Sequence, residues 1–130
     1  MKQHKATTDG HCPCGSGNAL PDCCGQYLNG HATAPTAELL MRSRYTAYVC
    51  QRKDYLLATW HPTTRPATLD LPPTQWLGLT VTQHATQDDT HATVTFIARY
   101  KVGGRAHRLQ ETSRFVREDG RWLYVDGDVA

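Results

Sequence analysis

The sequence lacks both a long hydrophobic run and a large excess of charge of one sign. Among its 130 residues, 14 basic side chains nearly balance 12 acidic ones, giving a formal net charge of +2. This balance is unlike the strongly basic surface of nucleic-acid-binding domains, so we expect no nucleic-acid partner. Residues 1–11 contain no apolar run. We therefore expect no secretory signal and no membrane span, and we predict a cytoplasmic protein.

Cysteine is scarce outside one short segment. Four of the five cysteines lie within residues 11–25 (HCPCGSGNALPDCCG), and Cys50 stands alone. In a reducing compartment, clustered thiols bind metal rather than pair. Two alternatives stay open at this stage, disulfides across the loop and a reactive dithiol, although the spacing differs from the C-x-x-C of redox proteins. We interpret Cys50 as a small buried hydrophobe.

Two close cysteine pairs separated by a flexible loop suit one tetrahedral metal ion. The candidate ligands are Cys12, Cys14, Cys23 and Cys24, with His11 as an alternative to one of the sulfurs. Zinc holds thiolate sulfur at about 2.3 Å, which places two sulfurs about 3.8 Å apart, so the chain has to curl back within each pair. Pro13 fixes one backbone angle there, and Gly15 and Gly17 permit the return. Four thiolates leave no open coordination position, which argues against hydrolytic zinc chemistry, and iron is an alternative metal for the same ligands.

The remainder of the chain predicts two helices followed by four antiparallel strands. Residues 27–35 are interpreted as a linker, and a helical pattern with Thr36 as N-cap extends from there to about Arg52. Asp54 is the expected cap of a second helix that reaches about Trp60. Strands with alternating apolar residues begin at about Gln75, Ala92, Arg105 and Trp122, and the last ends at Val125, leaving Asp126 and Asp128 in an exposed turn. This order is typical of an α+β domain with helices packed on one face of a sheet.

Polar side chains interrupt the apolar face of the third strand. Leu109 and Phe115 mark this face as buried, and Glu111 and Ser113 share it. A buried carboxylate requires a partner. In a structural interpretation, Glu111 bonds Arg42 or Arg44 of the long helix. In a functional one, a small-molecule pocket is lined by Tyr45, Tyr48, Trp60, His61 and Glu111, with His61 and Glu111 as an acid–base pair.

Several segments resemble known families. The cysteine segment, in which C-P-C-G-S-G is followed by C-C-G and eight residues separate Cys14 from Cys23, resembles the SEC-C motif, the small zinc-binding module named for the C-terminus of the preprotein-translocase ATPase. That resemblance implies that the four cysteines are the zinc ligands. LMRSRYTAY, DYLLATWHP, QETSRF and RWLYVDG resemble the YchJ family of small bacterial proteins. This family joins a SEC-C motif to a nuclear-transport-factor-2-like (NTF2-like) domain, a cone whose curved sheet wraps around a long helix.

These observations lead to two hypotheses about function. In the first, residues 1–30 form a structural zinc knuckle and linker, residues 31–130 form the NTF2-like domain, and the knuckle mediates contact with a protein partner. By analogy with other SEC-C proteins, that partner belongs to the ribosome or the secretion machinery. In the second, the pocket between helix and sheet binds a small molecule or has lyase- or isomerase-like activity. No residue is assigned a catalytic role.

Overall fold

The computed structural model describes residues 11–130, and its architecture is the α+β fold expected from the sequence. A 3₁₀ turn at Leu20–Asp22 is followed by helices α1 (Cys24–Leu28), α2 (Ala37–Val49) and α3 (Lys53–Ala58), and by strands β1 (Gln75–Asp88), β2 (His91–Val102), β3 (Arg105–Glu118) and β4 (Arg121–Val129). The strands form one antiparallel sheet in the order β1-β2-β3-β4.

Helix α2 is the element against which the other parts of the fold pack. It begins as predicted, with the Thr36 side chain accepting a hydrogen bond from the Leu39 amide at 3.1 Å. Met41 and Tyr45 pack into the core formed with the sheet. Ala47 lies on another side of the helix, in a separate cluster with Leu28 and Leu56. Residues are buried around most of the circumference of α2, which packs against β1, β2 and β4 of the sheet.

The register of the sheet is fixed by the alternation of buried and exposed residues along its strands and by tight turns between them. The residues of β2 that face the core are Ala92, Val94, Phe96 and Ala98, all buried. The β3–β4 connection is the pair Asp119-Gly120, whose φ angles of 53° and 77° match the left-handed conformation of a two-residue hairpin turn. Register shifts in the β1–β2 and β3–β4 pairings mark bulges, which bend and twist strands and so curve the sheet around α2.

The structure corrects three local predictions about the helices. Helix α3 begins at Lys53 and ends at Ala58, and Asp54 is not its cap but lies in its first turn and pairs with Arg52 at 3.1 Å. Cys50 is exposed rather than buried, because it caps the C-terminus of α2 where the chain turns away. The linker is shorter than predicted, since Leu28 belongs to α1 and is buried against α2 and α3.

The fourth strand is longer than its apolar pattern predicted. It continues to Val129 because Asp126 and Asp128 are not turn residues. Both carboxylates form ion pairs with Arg114 of the neighbouring strand β3, so opposite charges face each other across the two strands. The ladder thus extends four residues beyond the predicted end at Val125.

Candidate functional site

The four clustered cysteines converge on one small volume. Their sulfur atoms all lie within 4.8 Å of one another, and Cys14 Sγ lies 3.6 Å from Cys23 Sγ. All four side chains are buried, with between 0% and 6% of their surface exposed. The separation of about 3.8 Å expected between two sulfurs on one zinc ion falls within this geometry. The donor set and its dimensions therefore fit a tetrahedral metal ion.

The backbone brings the first cysteine pair together by a tight return. The amide of Gly15 donates to the carbonyl of Cys12 at 3.2 Å, and the amide of Cys12 donates to the carbonyl of Asn18 at 2.8 Å. Gly15 and Gly17 have φ angles of 83° and 89°, a conformation that side chains other than glycine adopt with strain. The glycines of the C-P-C-G-S-G segment are thus required by the curl that the sequence predicted.

A third glycine sets the position of the second pair. Gly25, in the first turn of α1, lies so close to the preceding 3₁₀ turn that a Cβ atom there would be 2.7 Å from the carbonyl oxygen of Leu20. The turn itself is closed by a hydrogen bond from the Cys23 amide to the same carbonyl at 3.1 Å. The glycine after C-C is therefore needed for close backbone approach, not for an unusual φ angle.

Two hydroxyl groups contact the sulfurs from outside the cluster. Ser16 Oγ lies 3.1 Å from Cys23 Sγ, and Thr46 Oγ1, from α2, lies 3.6 Å from Cys12 Sγ. Hydroxyls around a metal ligand orient it and share its negative charge. Ser16 belongs to the cysteine segment, so its position in the sequence could have indicated this contact. Thr46 is 34 residues from Cys12, and no local pattern indicated it.

The thiols influence one another strongly in the absence of metal. Hydrogen bonds from the Cys12 and Cys24 thiols lower the pKa of Cys14 far below its ordinary value. Hydrogen bonds with Cys12 and Cys14, followed by burial, raise the pKa of Cys24, and burial raises the pKa of Cys23. One thiolate is thus stabilised by its protonated neighbours. A dication would displace the remaining protons, because thiolates are the metal-binding form.

The cysteine segment is docked on the domain. Arg42 of α2 donates from Nη1 to the carbonyl of Cys14 at 2.8 Å and pairs through Nε with Glu38 at 3.0 Å. Glu38 also contacts His84 of β1 at 3.2 Å. Leu79 of β1 packs against the cysteine cluster. Arg42 therefore contacts the knuckle and not Glu111, the partner predicted for it.

A cavity of about 280 Å³ lies between α2 and the sheet. Four of the five predicted pocket residues line it, namely Tyr45, Tyr48, Trp60 and Glu111. His61 does not line it. Its Nε2 lies 2.8 Å from a carboxylate oxygen of Glu118, and its Nδ1 lies 2.7 Å from Thr63 Oγ1. His61 is held there because its backbone amide bonds the carbonyl of Tyr124, which pairs this corner with β4.

Glu111 has different partners from those predicted. Its Oε2 accepts hydrogen bonds from Ser113 Oγ at 2.8 Å and from the Tyr124 hydroxyl at 3.3 Å. Burial, followed by the negative charge of Glu111, raises the pKa of Tyr124. Neither an arginine bond to Glu111 nor a His61–Glu111 pair is formed within residues 11–130. The predicted acid–base pair is therefore wrong, and Tyr124 is a cavity residue that the sequence analysis missed.

The structure also places a buried cation beside this cavity. Arg44 is 5% exposed and donates from Nη1 to the carbonyl of Leu56 at 2.8 Å and to Thr59 Oγ1 at 2.7 Å. Its Cζ lies 4.9 Å from the ring centroid of Trp60 and 4.6 Å from that of Tyr124. Burial lowers the pKa of its guanidinium. Aromatic faces and neutral oxygens thus stabilise this charge.

Comparison with protein families and curated proteins identifies close relatives. A family model described as the middle, NTF2-like domain of YchJ matches residues 36–127. A UPF0225 protein of Ralstonia nicotianae is 60% identical over 131 residues, covering 91% of this chain and 90% of its own. A UPF0225 protein of Bordetella bronchiseptica is 53% identical over 133 residues, covering 99% of both chains.

Solved structures show the same architecture. The solution structure of a SEC-C motif containing protein from Rhodopseudomonas palustris matches with a TM-score of 0.83 and 35% identity, covering 92% of this chain and 98% of that one. The crystal structure of a SEC-C motif containing protein from Psychrobacter arcticus matches with a TM-score of 0.77 and 29% identity, covering 92% of this chain and 82% of that one.

Within residues 11–130, every helix is too short or too polar to cross a bilayer.

Proposed function

The chain belongs to the YchJ family, and from this premise we propose that its four-cysteine cluster holds one structural zinc ion. The observation that carries this proposal is the convergence of four buried sulfurs within 4.8 Å of one another. Two structural relatives are SEC-C motif containing proteins, and this supports the same assignment. Cys12, Cys14, Cys23 and Cys24 would be the ligands. Bound there, zinc supplies a cross-link between the two cysteine pairs.

The chemistry of the donor set favours a structural role for the metal. Four thiolates complete a tetrahedral shell, so no position is open for water or substrate. Residues 15–19 between the pairs are exposed and add no apolar packing. Structural zinc contributes about 10–16 kcal/mol of apparent folding free energy in small zinc-binding peptides. This is far more than the few apolar contacts of the segment would contribute alone.

We further propose that the metal-held knuckle is a surface for a protein partner. The side chains of residues 15–19, Pro21 and Asp22 are exposed, while the ligands beneath them are buried. Arg42 and Thr46 attach the ligand-bearing backbone to α2. The exposed loop is therefore supported on a rigid base, which reduces the entropic cost of recognition. By family analogy, the partner belongs to the ribosome or the secretion machinery.

Metal analysis combined with thiol counting tests the zinc assignment. We expect purified protein to contain one zinc per chain and one readily titrated thiol, the exposed Cys50. A Cys50→Ser variant should lose that single thiol and keep the metal. Iron at one per chain would replace zinc as the assigned metal. Freshly reduced protein with no bound metal and four further reactive thiols would contradict the proposal.

A pull-down experiment tests the partner surface separately from the metal. Asp22→Lys reverses an exposed charge and leaves all four sulfurs in place, whereas the double variant Cys23→Ser, Cys24→Ser removes two ligands. We expect both variants to lose a partner that the zinc-loaded wild-type protein retains. Retention of the same partner by both variants would show that the knuckle does not bind it.

The cavity supports a second candidate function, the binding of a small molecule. The supporting observation is the space of about 280 Å³ that two charged side chains, Arg44 and Glu111, line without forming an ion pair. Its volume is close to the lower end of the usual range for ligand sites, about 300 Å³. His61 is bonded elsewhere, so we propose binding rather than acid–base catalysis for this cavity.

A further inference from the structure

Arg44 is a buried cation whose countercharge is absent from the contacts of residues 11–130. No carboxylate in that part of the chain lies within 4 Å of its guanidinium. Both hydrogens on Nη1 are directed to neutral oxygens, those of Leu56 and Thr59. An arginine carries five N–H donors in a fixed fork. The hydroxyl of Tyr48 lies beside the edge formed by Nε and Nη2. This edge is otherwise available to an acceptor.

The walls of the cavity select for a flat apolar group. Seven of its thirteen lining residues are aromatic, including Trp60, Trp76 and Phe96. Aromatic side chains pack on a ring by stacked or edge-on contacts. Trp60 also has a buried indole N–H without a hydrogen-bond partner in residues 11–130. An unpaired buried donor is costly, and this one belongs to a side chain that lines the cavity.

Glu111 introduces the opposite charge at another point of the same cavity. Its carboxylate lies more than 4 Å from the Arg44 guanidinium and accepts from Ser113 and Tyr124. An anion placed against Glu111 would be repelled, and a hydrogen-bond donor there would be stabilised. The two charges therefore give the cavity a polarity, with an acceptor preferred near Arg44 and a donor preferred near Glu111.

We propose that the cavity binds a small aromatic carboxylate whose ring carries a hydroxyl or amino group. This inference rests on the proposed binding role of the cavity and specifies its ligand. The ligand's carboxylate accepts from the free edge of Arg44, its ring packs among the aromatic side chains, and its donor bonds Glu111. Arg44 is thus the anion receptor, and Glu111 discriminates among aromatic acids.

Matched small probes test this assignment on the metal-loaded full chain. Titrations of 4-hydroxybenzoate, its neutral analogue 4-hydroxybenzamide, and benzoate are followed by two-dimensional NMR of the backbone and indole N–H groups. We expect saturable shifts for 4-hydroxybenzoate that include the Trp60 indole. A charge-assisted hydrogen bond is worth roughly tenfold to a hundredfold in affinity, so 4-hydroxybenzamide should bind at least about tenfold more weakly. Benzoate, without the ring donor, should also bind more weakly.

Three variants show whether a loss of binding comes from the lost ligand contact or from damage to the fold. Arg44→Lys keeps a charge but lacks the planar fork, and it should weaken 4-hydroxybenzoate about as much as loss of the probe's charge does. Because Arg44 also ties α3 in place, Ala98→Leu provides an independent variant that fills the cavity from β2 and should abolish binding. Arg99→Gln changes an exposed arginine one residue further along β2 and should leave binding unchanged.

The outcomes distinguish this inference from the broader binding role. Equal binding of the acid and its amide, with loss of both in Ala98→Leu, would overturn the carboxylate assignment while retaining a ligand-binding cavity. No saturable shift with any probe up to about 10 mM, weaker than ordinary small-molecule affinities, would overturn both. Shifts that disappear in Arg99→Gln would assign the effect to surface charge and also overturn the inference.

Discussion

Replacing Thr46 by valine would remove one hydroxyl from the contact between α2 and the cysteine cluster while nearly preserving side-chain shape. Thr46 is fully buried, and its Oγ1 lies 3.6 Å from Cys12 Sγ. A hydrogen bond from the same hydroxyl lowers the pKa of Cys24, against the larger effects that raise it. We expect T46V to weaken metal binding because this hydroxyl donates to sulfur, and a metal-bound sulfur is a thiolate.

The magnitude follows from the change in the charge of the acceptor. A hydrogen bond to a charged group contributes about 1.5–3 kcal/mol, and one between neutral groups about 0.5–1.5 kcal/mol. In the metal-loaded state the sulfurs are thiolates, whereas without metal most are protonated. The loss should therefore be larger in the loaded state by about 1–1.5 kcal/mol, and zinc affinity should fall by about 5–13-fold. The free energy of unfolding of the metal-free protein should fall by about 0.5–1.5 kcal/mol.

Two measurements on one pair of variants would check this expectation. Zinc affinity is obtained by competition with a chromophoric chelator, and metal-free stability by urea denaturation. Ser43→Ala is the matched control, because Ser43 is equally buried on α2 but bonds the Leu40 carbonyl and the Tyr55 hydroxyl instead of sulfur. S43A should lower stability by about 1–3 kcal/mol and leave zinc affinity unchanged.

Either of two results would refute the reasoning about Thr46. One is a zinc affinity of T46V within about twofold of wild type, well below the effect of removing a group that supports a metal ligand. The other is an equal loss of affinity in S43A, which would mean that any damage to α2 is transmitted to the cysteine cluster. The first result would mean that Thr46 does not support the metal site. The second would mean that its effect on zinc affinity is not specific to the contact with sulfur.

Three further predictions follow from local geometry. Chelation of the metal should change the amide resonances of residues 12–28 and leave those of β2 and β3 in place, and an unchanged spectrum of the cysteine segment would contradict the proposed role of zinc. Gly25→Ala should reduce the metal content of the protein, because its Cβ would lie 2.7 Å from the Leu20 carbonyl oxygen. Gly78→Ala, where the added Cβ meets nothing within 4 Å, is its control. The Thr90 amide, followed by His91, lowers the pKa of Asp88 to about 2 from 3.8. Ionised Asp88 should therefore stabilise the β1–β2 turn above pH 3.8 and lose this effect as pH falls through about 2, and a carboxyl NMR midpoint near 3.8 would exclude it.

Much of the fold was predictable because it is encoded by patterns that span only a few residues. Alternation in β2 determines which face is buried, and Gly103-Gly104 permits a two-residue hairpin. Thr36 can cap α2 through the amide three residues later, without help from the rest of the chain. Prediction failed at Cys50 and at the end of β4, where burial and pairing depend on elements distant in sequence.

The candidate sites divide in the same way. The cysteine spacing indicated which sulfurs converge, but Arg42 and Thr46 contact this segment only because α2 is packed beneath it. Glu111 was expected to pair with an arginine or with His61. Its partners instead come from its own strand and from β4, because the β3–β4 register decides which side chains are within reach.

By itself, the sequence determined which four thiols could hold a metal ion, the order of the main helices and strands, and the inward faces of β2 and β3. These depend on ligand type, residue spacing and backbone preference, all of which act over a few residues. Tertiary packing alone decided that the knuckle docks on α2, that His61 turns toward Glu118, and that Arg44 is buried among rings with no carboxylate of residues 11–130 within 4 Å of its guanidinium. Such contacts join residues far apart in the chain, and their energies depend on distance and burial, which exist only once helix and sheet are assembled.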